Sequence, residues 1–492
     1  MAKEIELKLA FPPAARASIL AHPLLANAPR MGPEKTLINT YFDTPGMALS
    51  ARRIALRTRK SGNEWLQTVK CAADSFGGLS SRPEWEQAFS GEFDFSAIEA
   101  DAPRKLLEKH RATIVPLFTT NFQRETLLLT PCPGVRVLVM VDSGEISADG
   151  NQEQISELEL ELESGTADDL LALACELAAS LPLLAYDASK AARGYALFRR
   201  ERAEAQKIPA PSFTAHCAPL DAFRQAAFGA LSCWASNHHG AIDSDDPEFI
   251  HQLRLALRQL RNLIRLFAAA LPTDFVEHWQ ACLREEAQHL GEVRDLDVLC
   301  DETLLAAREG DSDQRLSALI EHAEHTRQQA HAQVRNELSQ AGAGCLLLQL
   351  NRALHALPAT ESIKIQSLAK TALKTLHKQA QRKLANARSE QTSTALHELR
   401  ISAKRLRHAQ DCFQFLDTSQ SQLATAHQLA RLQNQLGQLH DLDLSITCLN
   451  AWGQAHPGLR EAIAFVTGWH AATSLKLRRR ILPRCEKMLA RS

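Results

Sequence analysis

The sequence lacks several features that would assign it to a common class of protein. It has no run of eighteen apolar residues, so no transmembrane helix is predicted. It has no basic start followed by an apolar segment, so no signal peptide is predicted. Its 11 cysteines are scattered without a C-x-x-C pair, which is typical of reduced thiols in a cytoplasmic protein and argues against a disulfide framework or a zinc site.

Neither sign of charge is in excess, since 56 Lys and Arg residues accompany 57 Asp and Glu residues and the formal net charge is -1. Any anion-binding function must therefore come from local segregation of charge. Aromatic residues make up only 5% of the chain and form no recognisable stacking platform, which argues against nucleic acid as a partner. At 492 residues the chain is too long for one ordinary core, so two or more domains are expected.

The periodicity of apolar residues changes near residue 200. Before it, short segments of alternating apolar and polar residues are separated by Gly, Pro and Asp, which predicts about eight strands in a closed antiparallel barrel or a sandwich. After it, Leu and Ala recur at three- and four-residue spacing, which predicts a bundle of long helices. We therefore expect a two-domain α+β protein, with residues 1–200 in the first domain, a linker over 201–215 and an all-α domain over 216–492.

The helical half contains an internal repeat. The segment HQLRLALRQLR at 251–261 resembles HELRISAKRLR at 397–407, and LGEVRDLD at 290–297 resembles LGQLHDLD at 436–443. In both pairs the second copy starts 146 residues after the first, a shared spacing that chance rarely produces. Two similar sub-bundles are therefore predicted, over about 216–350 and 360–492.

The predicted strands carry charged side chains on one face. Glu4, Glu6 and Lys8 share a face of the first strand, because side chains alternate along a strand, and Arg57 and Arg59 share a face of another. A solvated edge is the ordinary explanation for one such face, but its repetition with both charges favours a barrel whose charged face lines a tunnel. Arginine binds phosphate oxygens with two parallel hydrogen bonds, and Mg²⁺ prefers carboxylate and phosphate oxygens. The combination favours metal-assisted hydrolysis of a phosphoanhydride.

Short motifs follow one another along the first 200 residues: E-x-E-x-K at 4–8, YFDT at 41–44, L-R-T-R at 56–59, Lys70, E-x-E at 84–86, F-Q-R at 122–124, V-D-S-G at 141–144, E-L-E-L-E at 157–161 and SKAARG at 189–194. In these motifs and their order the chain resembles the CYTH family of triphosphate tunnel metalloenzymes. The resemblance implies an eight-stranded antiparallel β-barrel with flanking helices and a tunnel, and action on triphosphate substrates that depends on Mg²⁺ or Mn²⁺.

The same resemblance implies roles for individual side chains. The phosphates would be bound by basic residues, namely Lys8, Arg57, Arg59, Lys70, Arg124, Arg136 and Lys190. The metals would be held by carboxylates, namely Glu4, Glu6, Asp142, Glu159 and Glu161, with Glu86 assisting. A metal-activated water would attack a terminal phosphorus, and the residues expected to take part in this step are Glu4, Glu6, Lys8, Glu159 and Glu161.

Two predicted helices of the second half each carry a basic stripe headed by a histidine. The members of the two stripes are His251, Arg254, Arg258 and Arg261, and His397, Arg400, Lys404 and Arg407. A solvated face is the ordinary explanation, but few acidic residues lie between these cations to form the usual i,i+4 pairs. With these helices and the two L-G-x-x-[RH]-D-L-D segments, residues 216–492 resemble the CHAD domain. The resemblance implies two four-helix sub-bundles whose basic surface binds long-chain polyphosphate.

The function expected from these patterns is that of an inorganic triphosphatase, which converts tripolyphosphate and water to pyrophosphate and phosphate. Hydrolysis of a nucleoside or thiamine triphosphate, or cyclisation of ATP, stays open as an alternative, because a tunnel of this kind recognises only the triphosphate end. In a different class of function, the protein would be a polyphosphate-binding scaffold with weak activity. The complete set of carboxylates argues against a pure scaffold, since a protein that only binds polyanions has little need of them.

Overall fold

The computed structural model describes residues 4–62, 64–71, 75–211, 213–214, 216–358, 363–414 and 420–489. The chain forms two compact units. The first comprises Met1–Lys207, Leu231–Ser244 and Glu337–Leu357, and the second comprises Ile208–Ala230, Asp245–Asn336 and Pro358–Ser492. The first unit therefore includes two segments that the sequence pattern assigns to the helical half.

The first unit is built on one antiparallel sheet. Its strands are β1 (Glu4–Ala10), β2 (Lys35–Asp43), β3 (Ile54–Ser61), β4 (Glu64–Cys71), β5 (Ser75–Phe76), β6 (Leu79–Arg82), β7 (Glu84–Ala88), β8 (Val115–Leu129), β9 (Arg136–Ala148), β10 (Asn151–Ser164) and β11 (Leu184–Ala185). They pair in the order β5-β6-β1-β10-β9-β8-β2-β3-β4-β7, and β11 pairs with β1. The predicted antiparallel fold is confirmed. Among the described residues the sheet has eleven strands, where about eight were predicted, and two of them, β5 and β11, are only two residues long and too short to produce an alternating pattern.

Helices account for most of the remaining described chain. They are α1 (Arg16–Leu20), α2 (Pro23–Ala26), α3 (Asp101–His110), α4 (Ala167–Ser180), α5 (Lys190–Phe198), α6 (Pro219–Asp243), α7 (Pro247–Leu266), α8 (Thr273–Val298), α9 (Leu305–Arg308), α10 (Ser317–Ser339), α11 (Cys345–Ala356), α12 (Ile365–Glu390), α13 (Ser393–Phe413), α14 (Gln420–Ala455) and α15 (Arg460–Leu489). A π-helical turn, Leu299–Leu304, joins α8 to α9. Among the described residues, none of these helices is both long enough and apolar enough to cross a membrane.

The central strands of the sheet are buried on both faces. In β1, Leu7 and Leu9 are fully buried on one face, while Glu6 and Lys8 on the other are only 6% and 4% exposed. Helix α4 packs against β1 and β10 with its own buried leucines, and a capping box at Thr166 starts this helix. Because both faces are covered, the charged side chains of the polar face must find their partners inside the curl of the sheet.

The described residues of the second unit form helices and connecting loops, as the apolar periodicity predicts. Helix α7 starts with Asp246 as its N-cap and Pro247 in its first turn, and it buries an apolar stripe that includes Leu253 and Leu257. The first motif of the repeat lies on α7 and α13, and the second lies on α8 and α14. Helices α7 and α14 both pack against α8 and α13. All four motif copies therefore lie on helices that contact one another, and the structural equivalence of the two halves stays a prediction.

Candidate active site

The polar face of the sheet surrounds a cavity of about 560 Å³ in the first unit. The alternation of side chains along β1, β3, β8 and β10 directs charged groups of both signs into it. Its basic lining includes six of the seven predicted phosphate-binding residues, namely Lys8, Arg57, Arg59, Lys70, Arg124 and Lys190. Its acidic lining includes Glu6, Glu84, Glu86, Glu159 and Glu161.

Glu6 and Glu161 form a carboxylate pair in this cavity. Strands β1 and β10 place these two residues directly opposite each other, and they place Lys8 opposite Glu159 in the same register. Like charges in such a cross-strand pair repel each other. Burial raises the pKa of Glu161, and the Glu6 carboxylate also raises it, although Lys70 acts in the opposite direction. A cation between the two carboxylates would remove this repulsion, so the pair fits a metal site.

Glu159 belongs to a buried ion network that surrounds Lys190. The Nζ of Lys190 lies 2.9 Å from Oε1 of Glu159, 2.6 Å from Oε2 of Glu157 and 2.8 Å from Oδ2 of Asp142. Arg124 donates to both oxygens of Asp142, at 2.7 and 2.6 Å, and also to Glu159. Burial alone would raise the pKa of Glu159, but Lys190 and Arg124 hold it well below its usual range. Glu159 is therefore ionised and serves as a counter-ion for two cavity cations, Lys190 and Arg124.

The same network contains a cluster of carboxylates close enough to bind a metal. Asp142, Glu157 and Glu159 each offer an oxygen, and the three oxygens lie within 4.8 Å of one another. The ammonium group of Lys190 already forms ion pairs with all three carboxylates. These ion pairs favour a counter-ion role for this cluster, which leaves the Glu6–Glu161 pair as the candidate metal site.

Arg57 and Arg59 line the cavity from β3. Burial lowers the pKa of Arg59 to about 10, together with repulsion from Arg57 and Arg124. The Nε of Arg57 is buried and has no hydrogen-bond partner among the described residues. Lys70 on the adjacent strand β4 pairs with Glu84 at 2.6 Å. An anion in the cavity would relieve the repulsion among these cations and would supply acceptors for their donors.

Two of the predicted site residues, Arg136 and Asp142, are not among the described residues that line the cavity. Arg136, the first residue of β9, is half exposed, pairs with Glu163 at 3.0 Å and is not one of the described residues that line the cavity. The expectation that it contacts the phosphates is therefore corrected, because the end of the strand leaves it in solvent. Asp142 is fully buried, and Arg124 binds both of its oxygens, so it holds a cation in place. The side chain of Glu4 lies outside the described part of the structure.

Two groups of this region were not singled out from the sequence. Arg193 on α5 is 8% exposed and binds Glu153 at 2.6 Å and also Glu157, so it helps to anchor the ion network. Asp187, which precedes α5, lines the cavity. Neither residue lies in a strand, so the alternating pattern could not reveal them. For Arg193 the SKAARG motif at 189–194 was the available signal.

The second unit contains a basic cluster, made by Arg254 and Arg258 on α7 and by Arg400 and Lys404 on α13. Burial lowers the pKa of Arg258 to about 10, together with repulsion from Arg254 and Arg400. Burial also lowers the pKa of Lys404 to about 6, and all three arginines contribute to this shift. These four predicted polyphosphate-binding residues are thus brought together, and their mutual repulsion fits the binding of a polyanion.

The histidines that head the two stripes lie near the same cations. Burial lowers the pKa of His251, and Arg294 lowers it further. Burial and Arg400 lower the pKa of His397 in the same way. The Nδ1 of His397 lies 3.0 Å from the Nδ1 of His440, which belongs to the second D-L-D segment. Since the pKa values of both histidines lie below the ordinary value of about 6.5, the two imidazoles are neutral at pH 7 and can donate hydrogen bonds without adding charge.

The remaining predicted cations of the stripes have other neighbours. The Nε of Arg407 lies 3.5 Å from Asp411. Burial lowers the pKa of Arg261, and Arg284 and Arg405 lower it further. Two aspartates of the D-L-D segments form ion pairs, namely Arg400–Asp441 at 3.8 Å and Arg478–Asp443 at 2.9 Å, and a third, Asp297, lies 2.7 Å from the Nε2 of His331. These contacts indicate that the aspartates act as partners of nearby basic side chains.

Comparison with known proteins adds to this geometry. The family model described as CYTH domain matches residues 2–195, and the model described as CHAD domain matches residues 225–450. The inorganic triphosphatase of Haemophilus influenzae is 32% identical over 214 residues, which cover 40% of this chain and 55% of that protein. The chain thus matches about half of that relative's length. A solved structure of the CHAD domain from the plant Ricinus communis is 26% identical, with a TM-score of 0.52 over 58% of this chain and 96% of that chain.

Proposed function

We propose that this chain, in which a CYTH domain over residues 2–195 is followed by a CHAD domain over residues 225–450, is a metal-dependent inorganic triphosphatase. The observation that carries the proposal is the cavity in which the carboxylate pair Glu6–Glu161 lies among the six basic side chains. A carboxylate pair suits a divalent cation, and the cations suit a compact polyanion. The reaction would convert tripolyphosphate and water to pyrophosphate and phosphate.

The side chains that line the cavity favour a substrate that carries no nucleobase. Its aromatic side chains are engaged with protein groups. Tyr41 stacks on Phe118 with 4.7 Å between ring centroids. Phe122 has the Nζ of Lys190 5.0 Å from its centroid and the guanidinium of Arg124 at 5.5 Å. A nucleoside would find little free aromatic surface here, whereas a short inorganic chain needs only the charges.

The carboxylates fit Mg²⁺ or Mn²⁺. Glu6 and Glu161 would hold the ion, with Glu4 as the further ligand predicted on β1, while Glu159, also predicted as a ligand, pairs with Lys190 and Arg124. Mg²⁺ favours few protein carboxylates and completes its octahedral shell with water and substrate phosphate oxygens. When bound, such an ion neutralises phosphate charge and activates a water for attack on phosphorus.

The basic residues would bind and orient the phosphates. Burial would lower the pKa of Lys190, but Asp142, Glu157 and Glu159 together raise it above its ordinary value, so the ammonium stays charged. The same carboxylates hold this ammonium in position before the substrate arrives. Donors that are fixed in advance stabilise charge in the transition state without reorganisation during the reaction.

The proposal is tested by phosphate release from tripolyphosphate, ATP and thiamine triphosphate, measured side by side with Mg²⁺ or with EDTA. We expect the highest rate on tripolyphosphate and none with EDTA. A rate on ATP that equals or exceeds it would refute the inorganic substrate, and turnover in EDTA would refute metal dependence. Glu6→Gln should abolish turnover, whereas the control Glu163→Gln, outside the cavity, should not.

We further propose that the basic cluster of the second unit binds long-chain polyphosphate. The support is the group of half-buried cations on α7 and α13, in which burial and the neighbouring arginines lower the pKa values of Arg258 and Lys404. A double variant in which Arg254 and Arg400 are both replaced with Ala should bind polyphosphate at least about tenfold more weakly in calorimetry, because two charge-assisted contacts are lost. Its rate of tripolyphosphate hydrolysis should stay within about twofold of wild type. Arg315→Ala, at an exposed arginine of the same unit, is the matched control. Unchanged polyphosphate binding in the double variant would refute this proposal.

A further inference from the structure

The turn between β5 and β6 holds the backbone of a cavity residue. Gly77 and Gly78 form this turn with φ values of +56° and +85°, which favour glycine. The carbonyl of Gly78 accepts a hydrogen bond from the backbone N–H of Lys8 at 2.9 Å. A Cβ added at Gly78 would lie 2.5 Å from the Lys8 carbonyl oxygen, so the two backbones are in close contact. The position of Lys8 in the cavity therefore depends on this turn.

Asp187 connects the turn to the start of α5. Its Oδ1 accepts hydrogen bonds from the Ser75 hydroxyl and from the Gly78 N–H, each at 2.7 Å. Asp187 also lines the cavity and lies three residues before Lys190, the first residue of α5. One carboxylate thus joins the segment that carries Lys190 to the turn that contacts the backbone of Lys8.

Two side chains from the CHAD part of the sequence form hydrogen bonds with Asp187 and with the β5–β6 turn. The hydroxyl of Ser232 donates to Oδ2 of Asp187 at 2.8 Å. The Nδ2 of Asn351 donates to the carbonyls of Phe76 and Gly77 at 2.9 and 3.2 Å. Both residues belong to segments that are part of the first compact unit, and both lie within the range of the CHAD family model.

The fit around the turn is tight. A Cβ added at Gly77 would lie 2.8 Å from the Nδ2 of Asn351 and 2.9 Å from Leu231. Asn351 is fully buried, so loss of its amide would leave two carbonyls of the turn without these donors. Loss of the Ser232 hydroxyl would remove the bond that fixes the second oxygen of Asp187. Either change would free the turn to shift relative to the cavity.

We propose that Ser232 and Asn351 are positioning residues for the triphosphate site, which they act on through Asp187 and the Gly77–Gly78 turn. This inference rests on the function proposed above, since it assumes that Lys8 and Lys190 bind the phosphates. Displacement of such a group by about 1 Å can cost about a hundredfold in rate, so contacts outside the cavity can control substrate binding. The CYTH site is then completed by two side chains that lie beyond the CYTH part of the sequence.

The test uses the full chain with Ser232→Ala and Asn351→Ala, each compared with wild type for KM and kcat on tripolyphosphate and for Tm. We expect KM to rise about tenfold in each variant, a part of the full displacement effect, with a smaller change in kcat. Ser232→Thr keeps the hydroxyl and should restore KM. The matched control is Asn237→Ala on the same helix as Ser232, because Asn237 is fully buried and bonds Gln206 and Cys233 without touching the turn.

The outcomes separate this inference from the proposed function. If Ser232→Ala fails to fold, Asn351→Ala and Gly77→Ala test the same contact, and Gly77→Ala should raise KM because it pushes against Asn351. An active wild type whose KM is unaffected by these variants overturns the positioning role alone. The positioning role is also overturned if Asn237→Ala raises KM as much at an equal loss of Tm. A wild type that neither binds nor hydrolyses triphosphates overturns the proposed function itself.

Discussion

The carboxylate pair leads to a prediction in which stability and activity move in opposite directions. Glu161→Gln removes one of two like charges that β1 and β10 place opposite each other. Like charges in this arrangement cost about 0.2–1 kcal/mol. The free energy of unfolding of the metal-free protein should therefore rise by at most about 1 kcal/mol, equivalent to a Tm increase of about 2–4 °C for a unit of this size.

The dependence of this effect on pH has a definite sign. The pKa of Glu161 is raised in the folded state, chiefly by burial, so the folded protein binds its proton more tightly than the unfolded chain does. Ionisation of Glu161 therefore destabilises the fold as the pH rises through the carboxyl range. The stabilising effect of Glu161→Gln should be present at neutral pH, should fade as the pH falls through the raised pKa of Glu161, and should be absent below about 4, near the ordinary carboxyl pKa.

The same substitution should weaken metal binding. A ligand that loses its charge forfeits about 1.5–3 kcal/mol, which corresponds to about 10- to 150-fold more Mg²⁺ for half-maximal activity. The assays are a Mg²⁺ titration of tripolyphosphate hydrolysis and thermal unfolding in EDTA. Glu163→Gln is the control, since Glu163 lies on the same strand and pairs with Arg136 at 3.0 Å. A lower Tm for Glu161→Gln in EDTA, or an unchanged Mg²⁺ requirement, would refute the reasoning.

Three further predictions concern single cations. Lys190→Met leaves a group of buried carboxylates without its central cation. The free energy of unfolding, measured by urea titration, should fall by about 3–5 kcal/mol. A loss under about 1 kcal/mol would contradict the ion network. Arg136→Ala should leave KM for tripolyphosphate within about twofold, because a half-exposed residue with a surface partner contributes little, and a tenfold rise would place it in the cavity after all. Lys404, with a pKa of about 6, must take up a proton when it binds an anion at higher pH. Polyphosphate affinity should therefore fall from pH 6 to pH 8 by up to about tenfold per unit, and Lys404→Arg, which stays charged, should reduce that slope in calorimetry. A slope that is the same in wild type and variant would rule Lys404 out.

Local sequence patterns predicted much of the first unit, in particular which side chains share a face of a strand. Because side chains alternate along a strand, the spacing of Glu6 and Lys8 was enough to put them on one face, and the structure buries both there. The same holds for Arg57 and Arg59, which line one cavity. The change from two-residue to three- and four-residue periodicity also separated the sheet from the helices, since each period reflects local backbone geometry.

The sequence by itself therefore determined the fold class, the faces of the strands and most of the charged groups that meet in the cavity. Only the tertiary structure decided which groups pair. Strand register places Glu6 opposite Glu161, and the packing of α5 on the sheet lets Lys190 form an ion pair with Glu159. It also decided the supporting contacts, in which Ser232 and Asn351 bond partners 45 and 275 residues away. No local periodicity encodes contacts across such separations, since they exist only once the helices and the sheet have packed together.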